Sequence, residues 1–415
     1  MEEVREGEEQ GDTGMTQILS VRSAFPSHRY EQAELTRAYA DLIGLRPGQR
    51  GLLDRLHGNA GVDFRHTVLP LEEYGTLSGV EKTNDRYIEE ATALGERALR
   101  AALAAAGKSP ADVDLLIVTS VTGVAVPSLD ARLIPRLGLR PDVKRLPVFG
   151  LGCVAGAAGL ARLHDYLAGW PGHVGALLAV ELCTLTVPVT GVTTADMVVS
   201  GLFGDGAAAV IATGDAPATT LGPGVTAAAA APLAPVPVGL ALVGATPVGP
   251  ALVTPAPVGP VVGSAPAGPA AFPRVLATRS QVYPDTQDAL GWRLGSDGFR
   301  IVLTTELATV VEQGLAEGVT SFLAAAGLTV DDIGTWICHP GGPKVLDAVR
   351  DSLKLPEAAI TASRRSLAES GNLSSASVLC ILEQVARDPG VAEGSLGLMI
   401  GLGPGVSAEL ILLQW

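Results

Sequence analysis

Apolar residues along this chain follow two rhythms. From Ile88 to Gly107, IEEATALGERALRAALAAAG sets apolar positions at helical spacing among strong helix formers, and Gly107 supplies a stop, so a helix is predicted. DVDLLIVTSVTG follows as a short apolar run bounded by polar residues, which predicts a buried strand. The stretch Leu146 to Leu167, LPVFGLGCVAGAAGLARLHDYL, predicts strand, tight turn and helix, with Cys153 at the turn. GALLAVELC (Gly175 to Cys183) predicts another strand. SGLFGDGAAAVIAT (Ser200 to Thr213) predicts a Gly-Asp-Gly turn entering a further one. Globular pattern returns at PRVLATRSQVYPDTQDALGW, and a helical region runs from about Leu303 to Gly327.

The pattern then repeats. FLAAAGLTVDDIGTWICHP (Phe322 to Pro340) echoes ALAAAGKSPADVDLLIVTS (Ala102 to Ser120): a helix ending in AAAG, a polar link with an aspartate, and a buried strand. Gly107 to Cys153 spans 46 positions and Gly327 to Asn372 spans 45; Gly107 to Val180 and Gly327 to Ile400 both span 73. Cys153 follows Gly152, Asn372 follows Gly371, and each opens a small-residue helix, CVAGAAGLARL and NLSSASVLCIL. The chain therefore reads as two similar α/β halves, 17–214 and 272–415. A pseudo-twofold axis would bring Cys153 and Asn372 face to face at two helix starts.

Composition adds limits to this picture. The chain has 415 residues, 47% apolar and 17% charged, with a formal net charge of −14. An acidic surface argues against nucleic acid as a partner, since phosphate binding needs clustered Lys and Arg. The opening MEEVREGEEQGDTG lacks an apolar core and is not a signal peptide; residues 1–16 are expected to be a disordered acidic tail. Cys153, Cys183, Cys338 and Cys380 are widely spaced with no CxxC, so neither a zinc site nor a disulfide framework is suggested, and a reducing, cytoplasmic location is the default. Residues 215–271 form a low-complexity Ala/Pro/Val/Gly insertion in which Pro-Val-Gly recurs at Pro237, Pro247 and Pro257. Its prolines exclude a transmembrane helix. An extended, mobile surface insertion is expected, although contact with a membrane or partner would also suit the composition.

Candidate chemistry centres on Cys153. A thiol at the start of a helix sits near the positive end of its dipole, which favours thiolate, and flanking glycines let substrate approach. A buried cysteine packing as a small hydrophobe would leave the same local pattern. His339 ends the second-half strand in CHPGG, ahead of Gly341 and Gly342. Cys153, His339 and Asn372 then share one address, the loop ends of paired strands and the starts of paired helices, where ligand sites of α/β folds collect. Cys and His can form a thiolate–imidazolium pair, and an Asn amide can donate to a developing oxyanion. His164 lies 11 residues beyond Cys153 on the same helix, roughly 16 Å away, and cannot reach the sulfur. His28, His57, His66 and His173 read as surface residues, and Cys183, Cys338 and Cys380 as core. GLGCVAG does not fit the GxGxxG dinucleotide loop.

The segments VPSLDARL, LGCVAGAAGLARLHDYL, GLFGDGAAAV, RSQVYPDTQDALGW, HPGGPKVLDAV, SGNLSSASVL and GLGPGVSAEL resemble the type III polyketide synthases, the chalcone and stilbene synthase group of the thiolase-like condensing enzymes. HPGGPK, GNLSSAS and GLGPG together are highly specific to that group. The resemblance implies a thiolase-like αβαβα five-layer sandwich of two duplicated halves, in a homodimer. It implies that Cys153 takes a starter acyl group from an acyl-CoA thioester. His339 and Asn372 would stabilise the enolate left when malonyl-CoA, or methylmalonyl-CoA, loses CO2. That enolate attacks the Cys153 thioester, and repeated condensation precedes cyclisation. CoA is substrate, and neither a metal nor a bound cofactor is expected. Phe203 matches an aromatic gatekeeper, with a core phenylalanine near a turn as the plainer reading. Thr186 matches a cavity-lining position, and Gly401, Leu402, Gly403, Pro404 and Gly405 match a loop that shapes the cyclisation cavity. Leu402 replaces the family's usual phenylalanine there, and Ile301 stands near the second gatekeeper position. VELCTL and the Cys153 segment look similar to bacterial synthases of alkylresorcinols or alkylpyrones, which is the product expectation. An initiating ketoacyl-ACP synthase and a catalytically idle thiolase-fold binding partner are the alternatives.

Overall fold

The computed structural model describes residues 14–77, 79–214, 271–295, 298–303 and 306–415. The tail expected over 1–16 and the insertion expected over 215–271 lie outside the described residues, apart from 14–16 and 271; Thr16 already opens the first strand. In chain order the first half holds β1 (Thr16–Ala24), β2 (His28–Glu31), α1 (Gln32–Leu42), α2 (Arg50–Gly58), β3 (Phe64–Thr67) and α3 (Gly79–Ala105). It continues with β4 (Val113–Thr119), α4 (Leu129–Leu137), β5 (Lys144–Val148), α5 (Ala155–Gly169), β6 (Val174–Leu182), α6 (Thr194–Ser200) and β7 (Asp205–Gly214). The second half holds β8 (Arg274–Val282), β9 (Leu290–Gly295), β10 (Gly298–Leu303), α7 (Glu306–Ala325) and β11 (Ile333–Cys338). It ends with α8 (Pro343–Leu353), α9 (Thr361–Ser370), α10 (Ser377–Val385), β12 (Leu396–Gly403) and β13 (Ser407–Gln414).

The main strands lie in two half-sheets, β5-β4-β6-β7-β1 and β8-β13-β12-β11. A short joint, Thr16 opposite Val275 and Gln17 opposite Arg274, links them into one hydrogen-bonded order. The central strands β4, β6, β7 and β12 are largely apolar because both faces are covered. Along β6, Leu177 and Ala179 face one core while Ala176, Leu178 and Val180 face another. Along β12, Met399 faces the first of these and Leu398, Ile400 and Leu402 a third. The period of two in a strand thus distributes each half-sheet between two cores. α3 covers the outer face of the first half-sheet, where Ala91, Leu94, Ala98, Leu99 and Ala102 recur at helical spacing. α5 and α10 fill the layer between the half-sheets, and α7 and α8 cover the far side. The layers run α, β, α, β, α, as the resemblance implies.

The duplication extends to hydrogen bonds. Ser109 and Asp112 cap the turn before β4, the carboxylate accepting from the serine N–H at 2.7 Å and its hydroxyl at 2.8 Å. Thr329 and Asp332 do the same before β11, both at 2.8 Å. β4 runs parallel to β6, and β11 to β12. β7 and β13 then add antiparallel partners. The halves differ at one place. KRLPV forms the edge strand β5, whereas the corresponding SRRSL lies within α9, in a segment rich in helix formers. α9 shields the outer edge of β11, where the Cys338 N–H donates to the Ser363 hydroxyl at 3.1 Å. Among the described residues β5 has a strand on one side only. Among the described residues no helix is long and apolar enough to cross a membrane.

The middle layer is close-packed at one glycine. A Cβ on Gly156 of α5 would lie 2.0 Å from the Ser375 carbonyl oxygen, a backbone atom that cannot swing away. Gly107, in contrast, has a left-handed φ of +64° and nothing within 4 Å of where its Cβ would stand. Gly156→Ala should therefore lower the unfolding free energy by at least about 2 kcal/mol. Gly107→Ala should cost only about 1 kcal/mol, the backbone penalty alone. Urea unfolding of both variants checks the ranking, and the reverse order would contradict the packing described.

Candidate active site

Cys153 stands where β5 gives way to α5. Val148 ends the strand, Gly150 and Gly152 take φ of +93° and +56°, and Gly152–Val154 form a single 3-10 turn ahead of Ala155. Gly152 is needed twice over. Its backbone is left-handed, and a Cβ there would lie 2.5 Å from the Pro404 ring. Pro404, at the tip of the β12–β13 turn, thus presses on the residue preceding Cys153. Cys153 is partly exposed, whereas Cys183, Cys338 and Cys380 are buried.

Asn372 stands at the matching place in the second half. α9 ends at Ser370, and Gly371 turns the chain with φ +72°. The Asn372 main chain then bridges the first half: its N–H donates to Leu202 O at 2.8 Å, and its carbonyl accepts from Gly204 N–H at 3.0 Å. Its side-chain oxygen accepts from the Ser374 N–H at 2.8 Å and more weakly from the Ser377 hydroxyl at 3.4 Å. That turns the amide NH2 the other way, as a donor. Ser374 holds a left-handed φ of +49°, uncommon for a non-glycine, and its hydroxyl faces the Cys153 thiol. One serine therefore touches both helix starts.

His339 follows β11, its N–H donating to Ile400 O at 2.9 Å. The imidazole is buried, and its Nδ1 has no hydrogen-bond partner among the described residues. Gly341 and Gly342 lead on toward Leu202, whose carbonyl holds Asn372. Cys338, Leu202, Phe203, Ile400 and Leu402 belong to one apolar cluster, with Cys153 and Ile301 packed against it. No hydrogen bond joins the imidazole to the sulfur among the described residues in the free protein.

Burial pushes the Cys153 thiol up, to about 12; the Ser374 hydroxyl works against this and nearby Glu181 adds to it. Burial pushes His339 down, to about 4. The sequence expectation that a helix start favours thiolate is thus outweighed. That dipole is worth about 0.3–1 kcal/mol, less than the loss of water around the sulfur, which lies inward even though the residue as a whole keeps some exposure. Burial thus holds each group toward its neutral form.

Glu181 was not singled out from the sequence, although a lone charge inside the apolar GALLAVELC was the available signal. It is fully buried beside the two helix starts. Its carboxylate accepts from Val121 N–H at 3.1 Å, from the Thr122 hydroxyl at 3.0 Å and from the Ser375 hydroxyl at 2.5 Å, with Ser374 at 3.4 Å. Burial still pushes it up, to about 7. Asp205 of the Gly-Asp-Gly turn is buried likewise. It accepts from Thr184 N–H at 2.8 Å and Val68 N–H at 2.7 Å, and burial pushes it up to about 6.

Of the expected cavity residues, Phe203, Leu402 and Ile301 belong to or pack against the apolar cluster beside Cys153. Phe203 is buried and forms a bridge to Asn372, so it stands at the site and packs as core at once. Thr186 ends a 3-10 turn, its hydroxyl donating to Cys183 O at 2.7 Å. Ile301 lies on β10 opposite Trp292. Gly401, Leu402 and Gly403 close β12, and Pro404 and Gly405 make the turn. Gly401 and Gly403 let that strand lie against Ala157 and Val154. His57 corrects the surface reading: it is buried, with Nδ1 at 2.8 Å from the Thr36 hydroxyl and Nε2 at 3.1 Å from Met197 O. His164 is buried also, paired with Thr16 at 2.9 Å. A cleft of about 770 Å³ lies at the other end of β11, lined by Ile333, Trp336 and Leu355, and contains none of these residues. Among the described residues no group of His, Cys, Asp and Glu is arranged to hold a metal ion.

Comparison with known proteins places these features in context. Family profiles for the N-terminal and C-terminal domains of chalcone and stilbene synthases match residues 2–217 and 274–415. A 1,3,6,8-tetrahydroxynaphthalene synthase of Streptomyces peucetius subsp. caesius is 48% identical over 401 residues, 96% of this chain and 93% of that relative. The alpha-pyrone synthesis polyketide synthase-like Pks18 of Mycobacterium tuberculosis is 26% identical over 97% of this chain and 92% of its own length. The crystal structure of 1,3,6,8-tetrahydroxynaphthalene synthase from Streptomyces coelicolor A3(2) superposes with a TM-score of 0.78 at 28% identity, covering 96% of this chain and 99% of that one.

Pairing of the Cys153 sulfur with the His339 imidazole has a direct readout. His339→Ala should slow alkylation of Cys153 by iodoacetamide at pH 7 about tenfold or more, because the thiolate loses its counter-charge. Alkylation of the variant should keep climbing through alkaline pH while the wild type levels off. Equal rates at pH 7 would show that the sulfur ionises without the imidazole.

Proposed function

The chain belongs to the chalcone and stilbene synthase family, and from that premise we propose that Cys153, His339 and Asn372 carry out an iterative decarboxylative Claisen condensation. The protein is an acyltransferase of the type III polyketide synthase kind, acting on CoA thioesters. In the proposed division of labour, Cys153 passes its proton to His339 and attacks the thioester carbonyl of the starter. CoA leaves as thiol, taking the proton back. Malonyl-CoA then loses CO2, and the freed electron pair moves onto its thioester oxygen. N–H donors of His339 and Asn372 hold that oxygen, as oxyanion donors do. The enolate carbon attacks the acyl-Cys153 carbonyl and expels the sulfur, which leaves the chain longer by two carbons on CoA. Reloading onto Cys153 repeats the cycle. What supports this reading most is the meeting of two duplicated helix starts, one opened by Cys153 and one by Asn372, with Ser374 between them.

For the product we favour 1,3,6,8-tetrahydroxynaphthalene, the compound named for the Streptomyces peucetius relative. Its hydroxyls sit on alternating carbons, the oxygen pattern of a chain built from two-carbon units, so malonyl-CoA can serve as starter and extender. An alkylresorcinol or alkylpyrone is the second reading, favoured by the aliphatic Ile301 and Leu402 beside the site. Purified enzyme given malonyl-CoA alone should release the naphthalene by mass. A product formed only with a long-chain acyl-CoA starter would select the second reading. Release after one condensation onto a carrier protein would indicate an initiating ketoacyl-ACP synthase, and absence of turnover by folded protein a binding role. Cys153→Ala should abolish extension while decarboxylation of malonyl-CoA persists; loss of both in a folded variant would contradict the division of labour.

The reading includes a homodimer, with β5 as its seam. Among the described residues β5 is an edge strand whose outer side is unpaired, and the segment around it exposes Leu146, Phe149 and Leu151. Val124 and Val126 in the neighbouring loop are also exposed. An unpaired edge strand flanked by exposed apolar side chains pairs readily with its own copy. Phe149→Asp combined with Leu146→Asp should yield a monomer by light scattering. A dimer of unchanged mass would place the seam elsewhere.

A further inference from the structure

The segment Gly201–Gly204 is held from two sides. On one side lies the Asn372 main chain, bonded to Leu202 O and Gly204 N–H. On the other lie two side chains that approach alternate carbonyls. The Gln32 amide, at the start of α1, donates to Gly201 O at 2.6 Å. The Arg65 guanidinium, on β3, donates through Nη1 to Phe203 O at 2.7 Å. The two are locked together, Arg65 Nε donating to Gln32 Oε1 at 3.0 Å. The stem of Arg65 also presses on the turn before Asn372, since a Cβ on Gly371 would stand 3.0 Å from both its Cγ and Cδ.

Arg65 is only 3% exposed. Removing a guanidinium from water is costly unless its charge and donors are used. Asp205 lies close enough to favour the charge, but Asp205 already accepts from Val68 and Thr184 main-chain N–H groups and is not hydrogen-bonded to Arg65. The guanidinium spends its donors on a carboxamide and a main-chain carbonyl instead. Neither partner is an acid, so a simple ion pair does not account for its burial.

We propose that Gln32 and Arg65 are positioning residues for the condensation. They grip the Gly201–Phe203 main chain, and through it set the Asn372 carboxamide and the Phe203 ring against the enolate site. Neither side chain need touch substrate. The proposal rests on the reading of Asn372 as an enolate donor. A displacement of an oxyanion donor by about 1 Å is enough to cost on the order of 100-fold in rate.

The test compares Arg65→Met, Gln32→Met and Arg65→Lys with Asn372→Ala and the wild-type enzyme, all as full chains. Malonyl-CoA decarboxylation and iodoacetamide alkylation of Cys153 are measured on each. Arg65→Met and Gln32→Met should lower kcat for decarboxylation about 10- to 100-fold, while KM for malonyl-CoA and the alkylation rate stay within about twofold. Arg65→Lys keeps a donor for Phe203 O and should recover part of the loss. A merely structural role would depress decarboxylation and alkylation together, and that outcome overturns the proposal. So does wild-type decarboxylation in both methionine variants, or failure of both to fold. If Asn372→Ala itself decarboxylates at the wild-type rate, the role of Asn372 falls and this proposal with it. If Asn372→Ala is impaired and the methionine variants are not, the proposal alone falls.

Discussion

Two backbones pressed together without a side chain between them set the geometry of the whole site. Gly156 of α5 lies against the Ser375 carbonyl, and no residue larger than glycine fits there. Cys153 precedes Gly156 by three positions, and Asn372 precedes Ser375 by three. One contact therefore fixes the separation of the proposed nucleophile and the proposed enolate donor. The same economy continues along β12, where Gly401 and Gly403 admit Ala157 and Val154. At the turn, Gly152 admits Pro404. Rigid, close-packed elements hold reacting groups more tightly than loops can.

That close packing removes water, and the charges respond together. Cys153, Glu181 and Asp205 are all pushed toward their protonated forms, and His339 toward its neutral one. Each shift has burial as its largest cause. Burial thins the charge at the site without removing it, since Glu181 at about 7 and Asp205 at about 6 stay partly ionised near neutral pH. A low-polarity pocket also strengthens every donor aimed at an enolate oxygen. Glu181 shows how far this goes: three short hydrogen bonds to its carboxylate do not restore an ordinary carboxylate pKa.

Much of this was legible in the chain. The equal spacing of Gly107 and Gly327 from Val180 and Ile400 reflects real equivalence, since these valine and isoleucine residues occupy β6 and β12. The glycines about Cys153 and the Gly-Asn of the second half read correctly as helix entries. Other features left weaker traces. An apolar strand buried on both faces carries no alternation, so which core each residue joins was hidden. SRRSL and KRLPV differ in helix propensity, but nothing local says that one lies at a free edge. The helical region assigned from about Leu303 starts at Glu306, because GFRIVL pairs with LGWRLG across a hairpin that only tertiary contact reveals. His57 sat in a polar stretch yet packs beneath Gly201, and a single sequence offers no sign of a cavity waiting for it. Arg65 and Gln32 were invisible for the same reason: the carbonyls they hold, Phe203 O and Gly201 O, lie more than a hundred residues away.

The asymmetry between β5 and α9 bears on assembly. A sheet with two bare margins invites successive subunits to add at both ends, and growth of that sort does not stop. Here α9 lies across one margin and the Ser363 hydroxyl occupies the outward N–H of Cys338, so among the described residues the β5 margin is the one left to recruit a neighbour. Two copies joined there by a twofold axis use up each other's free margin. Breaking the internal symmetry of the duplicated halves is thus what would terminate polymerisation at a pair instead of a fibre.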